Sequence, residues 1–420
     1  MTLPRGLDLR RLTESVFVRQ VSETYLTQLS VVALGFINSI LVTRILGPEG
    51  RGLFAVANTL SATGVQLGNL GLQSSNTYYV AREPGKLPVL LGNSLAVSAA
   101  SGVVALLGFL LVQLRPDVAP IGGTLLALTF LAVPAGLVSL LLQNLLIGTQ
   151  QIRTYNVIDL STRVLAVLLV AATAPLGLVS PELVFGLVLL TVVLGALWSL
   201  VRLKTQLQGP IGWSFETLRA CLPFGLRAYV GSLFVFLVLR SDIIILTYLR
   251  GAVETGYYAI AVGLADLLLM LPTVVGTILF PKLSAIPDLE ARWRFVRRVL
   301  LVMVPATPLA LGAAHLAAGP VIRLAYGAAF EPSAAAVGWL LPGVGCYAIN
   351  GILMNFLASC GMPRVVVVGP FAALLVNIAG NLALIPRFGF VGAAIASSIA
   401  YALMLAISLL YIRLRLFRKS

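Results

Sequence analysis

The feature that most restricts the fold of this chain is the length of its uncharged segments. Ten stretches of 18 residues or more contain no Asp, Glu, Lys or Arg. About 20 apolar residues span the hydrocarbon core of a bilayer as a helix, and a soluble domain has about 25% charged residues where this chain has 10%. The ten stretches are 24–43, 52–81, 89–114, 118–152, 164–181, 183–201, 299–322, 332–363, 365–386 and 388–412. We therefore expect an integral membrane protein.

Two more apolar regions, about 220–249 and 255–281, are long enough to span the bilayer but are interrupted by charged residues. With the ten uninterrupted stretches they predict an all-α integral membrane protein of twelve transmembrane helices. An even number of crossings places both termini on the same side of the membrane.

The distribution of basic residues predicts the orientation. If alternate connections are assigned to alternate sides, the side of the termini holds 20 of the 29 Lys and Arg residues, and 3 lie within helices. The other side holds the remaining 6, which are Arg44, Arg51, Arg115, Arg250, Arg323 and Arg387. Basic residues favour the cytoplasmic side, so we expect a multi-pass protein of the cell (inner) membrane with both termini in the cytoplasm. The net charge of +14 then indicates topology and contact with anionic membrane lipids, and not nucleic-acid binding.

An internal repeat divides the chain into two halves. Residues 43–57 align without gaps on residues 247–261, at a constant offset of 204, with one Thr, two Gly and two Ala identical. Both segments join the first and second helices of a set of six. The sequence therefore predicts an N-terminal six-helix lobe over 1–208 and a C-terminal six-helix lobe over 209–420, related as a parallel repeat around a central cavity, a pattern found in secondary transporters.

Charged residues at bilayer depth are costly and usually face a cavity or a partner. Arg240 lies ten residues before the estimated outer end of helix seven, and Asp266 lies ten residues after the start of helix eight. At 1.5 Å per residue both lie about 15 Å deep. We predict that Arg240 and Asp266 share a cavity as a pair, either as part of a transport site or as a purely structural contact.

Other charges lie within the predicted helices. Glu23 belongs to the first helix, and Arg227 and Asp242 belong to the seventh. Asp159 and Arg163 are four residues apart in the fifth helix, a spacing that puts both on one face. For this last pair a local ion pair and a contact with substrate are equally good interpretations.

Helix two has no charge but carries a stripe of amide side chains. They are Asn58, Gln66, Asn69, Gln73 and Asn76. Their spacings keep them near one helix face. Such amides either hydrogen-bond neighbouring helices or form the wall of a hydrophilic cavity.

No catalytic constellation accompanies these groups. The sequence has one His, no phosphate-binding glycine loop and no Cys/His cluster with metal-ligand spacing. We therefore expect no enzymatic activity and no cofactor, and we expect any energy coupling to use H⁺ or Na⁺.

Three segments resemble the polysaccharide-biosynthesis membrane proteins of the multidrug/oligosaccharidyl-lipid/polysaccharide (MOP) exporter superfamily. They are residues 43–55, with Arg-Ile-Leu-Gly-Pro; residues 240–261, with Arg-Ser-Asp and Gly-Tyr-Tyr-Ala-Ile-Ala; and residues 361–396, with Val-Gly-Ala-Ala-Ile-Ala. Arg44, Arg240 and Asp242 match motif positions. The resemblance implies two six-helix lobes, alternating access, and a cleft bordered by these residues.

The resemblance also implies the function: flipping a lipid-linked (prenyl-pyrophosphate) oligosaccharide from the cytoplasmic to the outer leaflet for cell-surface polysaccharide synthesis. Arg240 and Arg227 would attract the pyrophosphate, because guanidinium matches phosphate geometry. Asp242, Asp266 or Glu23 would bind the coupling ion. Expected partners are the lipid-linked oligosaccharide, membrane lipids and polysaccharide-assembly proteins. The alternatives are a drug or small-cation antiporter of the same fold, a membrane-embedded glycan polymerase or glycosyltransferase, and a scaffold without transport activity.

Overall fold

The computed structural model describes residues 9–115 and 119–416, with side chains described from residue 27 onward except at 227, 228, 271, 273, 274, 277, 278, 415 and 416. Within these residues the chain forms eleven α-helices. They are α1 (Leu9–Asn69), α2 (Leu72–Arg82), α3 (Leu87–Leu114), α4 (Gly123–Gly148), α5 (Ile152–Thr173), α6 (Pro181–Lys204), α7 (Phe215–Arg250), α8 (Ala252–Ala285), α9 (Leu289–Ala325), α10 (Ser333–Ser359) and α11 (Val365–Tyr411).

Ten helical segments of the described chain are long and apolar enough to cross a membrane. Two of them, of 43 and 50 residues, are about twice as long as one crossing requires. Each is broken near its middle by a glycine with positive φ, Gly47 in α1 and Gly389 in α11. Each of these two helices therefore crosses twice. The all-α membrane fold with twelve crossings that the sequence predicts is confirmed.

The kink at Gly47 has a simple local cause. Its φ of 67° is accessible to glycine without steric penalty, and Pro48 follows in the first turn of the second segment, where its missing N–H costs nothing. The second segment of α1 thus begins at Pro48, four residues earlier than the charge-free run, which begins at 52.

A second break divides the predicted second helix. Leu70 and Gly71 have positive φ values of 49° and 79°, so α1 ends at Asn69 and α2 begins at Leu72. Gly71 packs against Gly225 of α7 so closely that a Cβ at Gly71 would lie 2.4 Å from the Gly225 carbonyl. The uninterrupted helix expected over 52–81 is therefore wrong, and the change of direction falls where α7 crosses.

The helices of each half pack largely against one another. In the first half, α4 lies between α2, α3 and α6, and α5 contacts α1 and α6; in the second half, α10 packs on α8, α9 and α11, and α7 packs on α11. The halves meet where α1 contacts α7 and α8, and where α2 contacts α7. The exact lobe boundary at 208/209 stays a prediction.

The outer face of α9 is apolar and uncovered. Leu309, Leu316 and Leu324 are each more than three-quarters exposed, and this helix spans 37 residues with high mean hydropathy. Such a surface suits contact with lipid acyl chains.

Candidate functional site

A cavity of about 170 Å³ lies where the two halves meet. The second segment of α1, together with α7 and α8, provides its walls. We call it the central cavity; its lining residues are Arg51, Ala55, Asn58, Thr59, Ala62, Arg240, Ile243, Ala259, Val262, Gly263 and Asp266. Both copies of the internal repeat contribute: Ala55 and Ala259 are equivalent positions of the two segments.

Arg240 and Asp266 form an ion pair in this cavity. The Nη2 of Arg240 lies 2.8 Å from the Oδ2 of Asp266. The pairing predicted from their equal depth in adjacent antiparallel helices is therefore present. Both side chains remain partly accessible, at 28% and 42% of their surfaces, so the pair borders the cavity and is not sealed in the core.

Arg51 is a second arginine of the central cavity that the sequence analysis placed wrongly. We assigned it to the outer connection, but the helix that starts after Gly47 carries it into the membrane-spanning region. Its Nε is buried without a hydrogen-bond partner, and its guanidinium lies 5.8 Å from the ring centroid of Phe54. Recognising Pro48 as the first residue of a helix would have placed Arg51 about one turn inside it.

The described residues of the central cavity therefore carry a net positive charge. They include two guanidinium groups, those of Arg51 and Arg240, and one carboxylate, that of Asp266. An unpaired arginine at bilayer depth is unfavourable unless water or an anionic ligand compensates its charge. This arrangement can bind an anion.

Asp242 does not line the central cavity, contrary to our expectation. It lies two residues after Arg240, so the helix turns it about 200° away. The carboxylate is 1% exposed and accepts hydrogen bonds from the Tyr258 hydroxyl at 2.5 Å, the Ser397 hydroxyl at 2.8 Å and the Ile243 amide at 2.8 Å. It belongs to the interior of the second half.

The Asp242 site continues into a polar chain on α11. The amide of Asn377 donates to Ser397 at 3.2 Å, and the amide of Asn381 donates to Asn377 at 2.9 Å. Both asparagines are fully buried. A carboxylate surrounded by neutral hydrogen-bonding groups can accept H⁺ or a small cation.

The amide stripe divides into two groups, each with members on both sides of the break at Leu70 and Gly71. Asn58, Gln66 and Gln73 line a second cavity of about 310 Å³. Asn76 instead donates to the Ser94 hydroxyl of α3 at 2.8 Å. The Oδ1 of Asn69 accepts a hydrogen bond from the backbone N–H of Gln73 at 3.1 Å. The position of Asn58, Gln66 and Gln73 fits the interpretation of a cavity wall. The contacts of Asn76 and Asn69 fit the interpretation of hydrogen bonding within the protein. This amide cavity adjoins the central cavity, because Asn58 and Ala62 line both.

Asp159 and Arg163 form the ion pair expected from their spacing, with Nε 3.1 Å from Oδ1. They also line a third cavity, of about 370 Å³, enclosed by helices of the first half. The two residues therefore form a local ion pair and also lie where a ligand in the cavity can contact them, so both earlier interpretations fit.

Three predicted site residues remain, Arg44, Glu23 and Arg227. Arg44 does not border the central cavity; its Nε and Nη2 donate to the carbonyl oxygens of Ala325 and Leu324 at 2.7 and 2.5 Å, which closes the end of α9. Glu23 and Arg227 lie in α1 and α7, but their side chains are outside the described residues.

Solved structures similar to this fold are membrane transporters. A multidrug resistance MATE family transporter of the MOP superfamily, in an inward-facing conformation, superposes with a TM-score of 0.74 at 15% identity, covering 92% of this chain and 94% of that one. The lipid II flippase MurJ in an inward closed conformation gives 0.73 at 14% identity, covering 93% and 87%. A MOP superfamily transporter from Pyrococcus furiosus gives 0.65 at 14% identity, covering 95% and 94%. The fold is that of the MOP superfamily.

The family can also be identified. Residues 17–286 match the family described as "Polysaccharide biosynthesis protein", and these residues are more than half of the chain. The chain belongs to that family, as its motifs predicted. It is also 26% identical over 197 residues to an uncharacterized membrane protein of Methanocaldococcus jannaschii, a match that spans 46% of this chain and 39% of that relative.

Proposed function

We propose that this protein flips a prenyl-pyrophosphate-linked oligosaccharide from the cytoplasmic to the outer leaflet by alternating access between its two halves. The observation that carries the proposal is the pair of arginines in the central cavity, Arg51 and Arg240, with Asp266 as the one acidic residue among the described residues that line it. A membrane protein of the polysaccharide biosynthesis family with an anion-binding cavity at bilayer depth suits a lipid whose headgroup begins with a pyrophosphate.

The chemistry of the two arginines supports a phosphate ligand. Guanidinium remains charged and donates bidentate hydrogen bonds to phosphate oxygens. Arg51 lacks a carboxylate partner in the central cavity, and Arg240 shares the single carboxylate of Asp266. An arriving pyrophosphate would bind Arg51 and compete with Asp266 for Arg240.

The amide cavity supports a glycan beside the pyrophosphate. Asn58, Gln66 and Gln73 offer both donors and acceptors, which sugar hydroxyls require. Asn58 also lines the central cavity. The glycan of a ligand whose pyrophosphate is bound to Arg51 would therefore lie along the amide side chains of the adjoining cavity.

The test is complementation in a bacterial strain that lacks its own flippase for such a glycan. Arg240→Ala should abolish display of the glycan at the cell surface while the protein remains at normal abundance. Arg202→Ala is the matched control, because Arg202 is an exposed arginine in the last turn of α6 and should leave display unchanged. Normal display by Arg240→Ala at normal abundance would overturn the proposal.

A drug or small-cation antiporter is the second candidate, because multidrug transporters share this fold. It would favour acidic cavity groups, whereas the central cavity has two arginines and one aspartate. Expression in a drug-sensitive strain separates the two functions: the antiporter raises the tolerated concentration of a cationic drug, and the flippase does not.

The energy source and the surroundings belong to the same proposal. Asp242 is the group that we assign to a coupling H⁺ or Na⁺, because it is buried with neutral partners while Asp266 is already paired with Arg240. We place the protein in the inner membrane with both termini cytoplasmic, on the basis of the 20-to-6 distribution of basic residues. Polysaccharide-assembly proteins are the expected partners.

A further inference from the structure

The third cavity, enclosed by α1, α4, α5 and α6, has no role in the function proposed above. Five of its lining residues, Val65, Gly136, Leu140, Val188 and Val192, also line the amide cavity. The central cavity, the amide cavity and the third cavity therefore form one series, with Arg51 and Arg240 at one end and Asp159 and Arg163 at the other.

The polar groups of the third cavity are mixed in kind. Asp159 and Arg163 neutralise each other, and Arg163 uses only its Nε in that pair, so its terminal Nη groups remain donors. The Oδ1 of Asn38 is a buried acceptor without a hydrogen-bond partner. A buried amide oxygen left unpaired costs free energy and is satisfied by a ligand that brings a donor.

Two threonine hydroxyls of the cavity act as acceptors. Thr162 and Thr191 donate to carbonyl oxygens of their own helices, at 2.9 Å to Ile158 and 2.7 Å to Val188, so their oxygens are left to accept. The described lining of the cavity thus presents separate donors and acceptors, no net charge, and apolar walls formed by Leu34, Val188 and Val192.

This inventory selects the class of ligand. The Asp159 carboxylate would repel an anion, and the Arg163 guanidinium would repel a cation. Both repulsions are strong in an environment of low dielectric. A neutral molecule with several hydroxyl groups satisfies donors and acceptors together. The volume of about 370 Å³ corresponds to roughly a dozen waters at ~30 Å³ each, which is enough for one pyranose ring with its hydroxyls and several waters.

We infer that the third cavity is a glycan subsite, which binds a neutral sugar residue of the lipid-linked oligosaccharide through Asp159, Arg163 and Asn38. This inference rests on the proposed function. It adds that the glycan enters the first half of the protein and that one sugar is recognised at a fixed place.

Gly35 provides a way to block the subsite without altering its polar groups. It lies in α1 and lines the third cavity, and a Cβ built on it meets no atom within 4 Å. Gly35→Leu should therefore fit the helix while its side chain fills the cavity. Gly312→Leu is the matched control, since Gly312 is an exposed glycine of α9 with equally open surroundings.

The experiment measures binding to the purified full chain in a detergent without a sugar headgroup. The probes are farnesyl pyrophosphate and farnesyl pyrophosphoryl conjugates of single neutral hexoses and N-acetylhexosamines. For the wild type and Gly312→Leu, we expect at least one sugar to tighten binding tenfold or more over farnesyl pyrophosphate. For Gly35→Leu, we expect that gain to vanish while the affinity for farnesyl pyrophosphate is unchanged.

A second variant tests the neutrality of the subsite. Asp159→Asn keeps the shape but leaves Arg163 unpaired, so the sugar preference should move from the neutral hexose to its uronic acid. If no sugar adds affinity in the wild type, or if Gly35→Leu keeps the gain, the subsite is refuted although farnesyl pyrophosphate still binds. If farnesyl pyrophosphate itself does not bind, the proposed function fails and the subsite fails with it.

Discussion

Gly52 of α1 and Gly256 of α8 lie back to back where the two copies of the internal repeat meet. A Cβ at Gly52 would lie 1.7 Å from the carbonyl oxygen of Ala252, and one at Gly256 would lie 2.0 Å from the carbonyl oxygen of Pro48. The contacts are reciprocal, because Pro48 and Gly52 are related to Ala252 and Gly256 by the offset of 204. Backbone-to-backbone packing of this kind closes the predicted outer end of the central cavity.

Opening that end toward the outside requires α1 and α8 to separate. Gly52→Ala should force them apart, since the clash is with backbone and no side chain can rotate away. We expect a cysteine placed in the central cavity by Ala62→Cys, in a chain whose three native cysteines are replaced, to react faster with a membrane-impermeant maleimide added outside. An increase of about fivefold or more corresponds to a shift of about 1 kcal/mol in the open population.

Gly312→Ala is the control for this labelling, because Gly312 has open surroundings on the lipid side. Labelling from outside that is the same in Gly52→Ala and Gly312→Ala, at equal abundance, would show that this glycine contact does not close the cavity.

The second prediction concerns the competition between Asp266 and the substrate for Arg240. Asp266→Asn removes the carboxylate that lies 2.8 Å from the guanidinium. We expect the affinity for farnesyl pyrophosphate to rise on the order of tenfold, or ~1.4 kcal/mol, because the arginine is no longer neutralised. Transport should slow, because the ligand is released less readily. Glu216→Gln, an exposed acid in the first turn of α7, should change neither quantity, and an unchanged or lower affinity in Asp266→Asn would contradict the competition.

The sequence was sufficient for the crossings and for one specific contact. Apolar length indicates twelve helices, ten of them free of charge and two interrupted by charged residues, and equal depth in adjacent antiparallel helices is enough to pair Arg240 with Asp266. Both arguments depend only on distance along the membrane normal, which the rise of a helix fixes.

Rotation about the helix axis and the points where helices break were not predictable. Asp242 was expected in the same cavity as Arg240 but lies on the opposite side of α7. Asn69 and Asn76 do not line the amide cavity, and the break at Leu70 and Gly71 that lies between them depends on close packing with α7. Arg51 was assigned to a loop because the start of its helix is set by the φ of Gly47. The break at Leu70 and Gly71 arises from contacts between distant segments, which one sequence does not display. The start of the helix that carries Arg51 is the exception, because Gly47 and Pro48 are a local signal.

The third prediction separates a structural role of Arg44 from the cleft role that its motif implied. Arg44 donates two hydrogen bonds to the last carbonyls of α9, and such charge-assisted bonds contribute about 1.5–3 kcal/mol each. Arg44→Ala should lower the melting temperature of the purified protein and its abundance in the membrane. Transport per molecule should remain, and Arg44→Lys should recover part of the stability through one bond. Loss of transport at unchanged stability would instead support the cleft role.

The fourth prediction tests the coupling role assigned to Asp242. Its carboxylate accepts hydrogen bonds from Tyr258, Ser397 and the Ile243 amide, all of them neutral donors. A bound H⁺ or Na⁺ would neutralise it, and Asp242→Asn imitates that state at nearly constant volume. In proteoliposomes we expect the wild type to flip a fluorescent farnesyl pyrophosphate conjugate faster under a gradient of one of the two ions, each applied separately.

Asp242→Asn should flip the same conjugate at a rate that no longer depends on either gradient, because the group that senses the ion is permanently neutral. Ser408→Ala is the matched control: the Ser408 hydroxyl makes a buried hydrogen bond to Asn350 in the same half, at 2.7 Å, without a charged partner. It should keep the response of the wild type. A gradient response retained in Asp242→Asn would assign the coupling to another group, and Glu23 would then be the next residue to substitute.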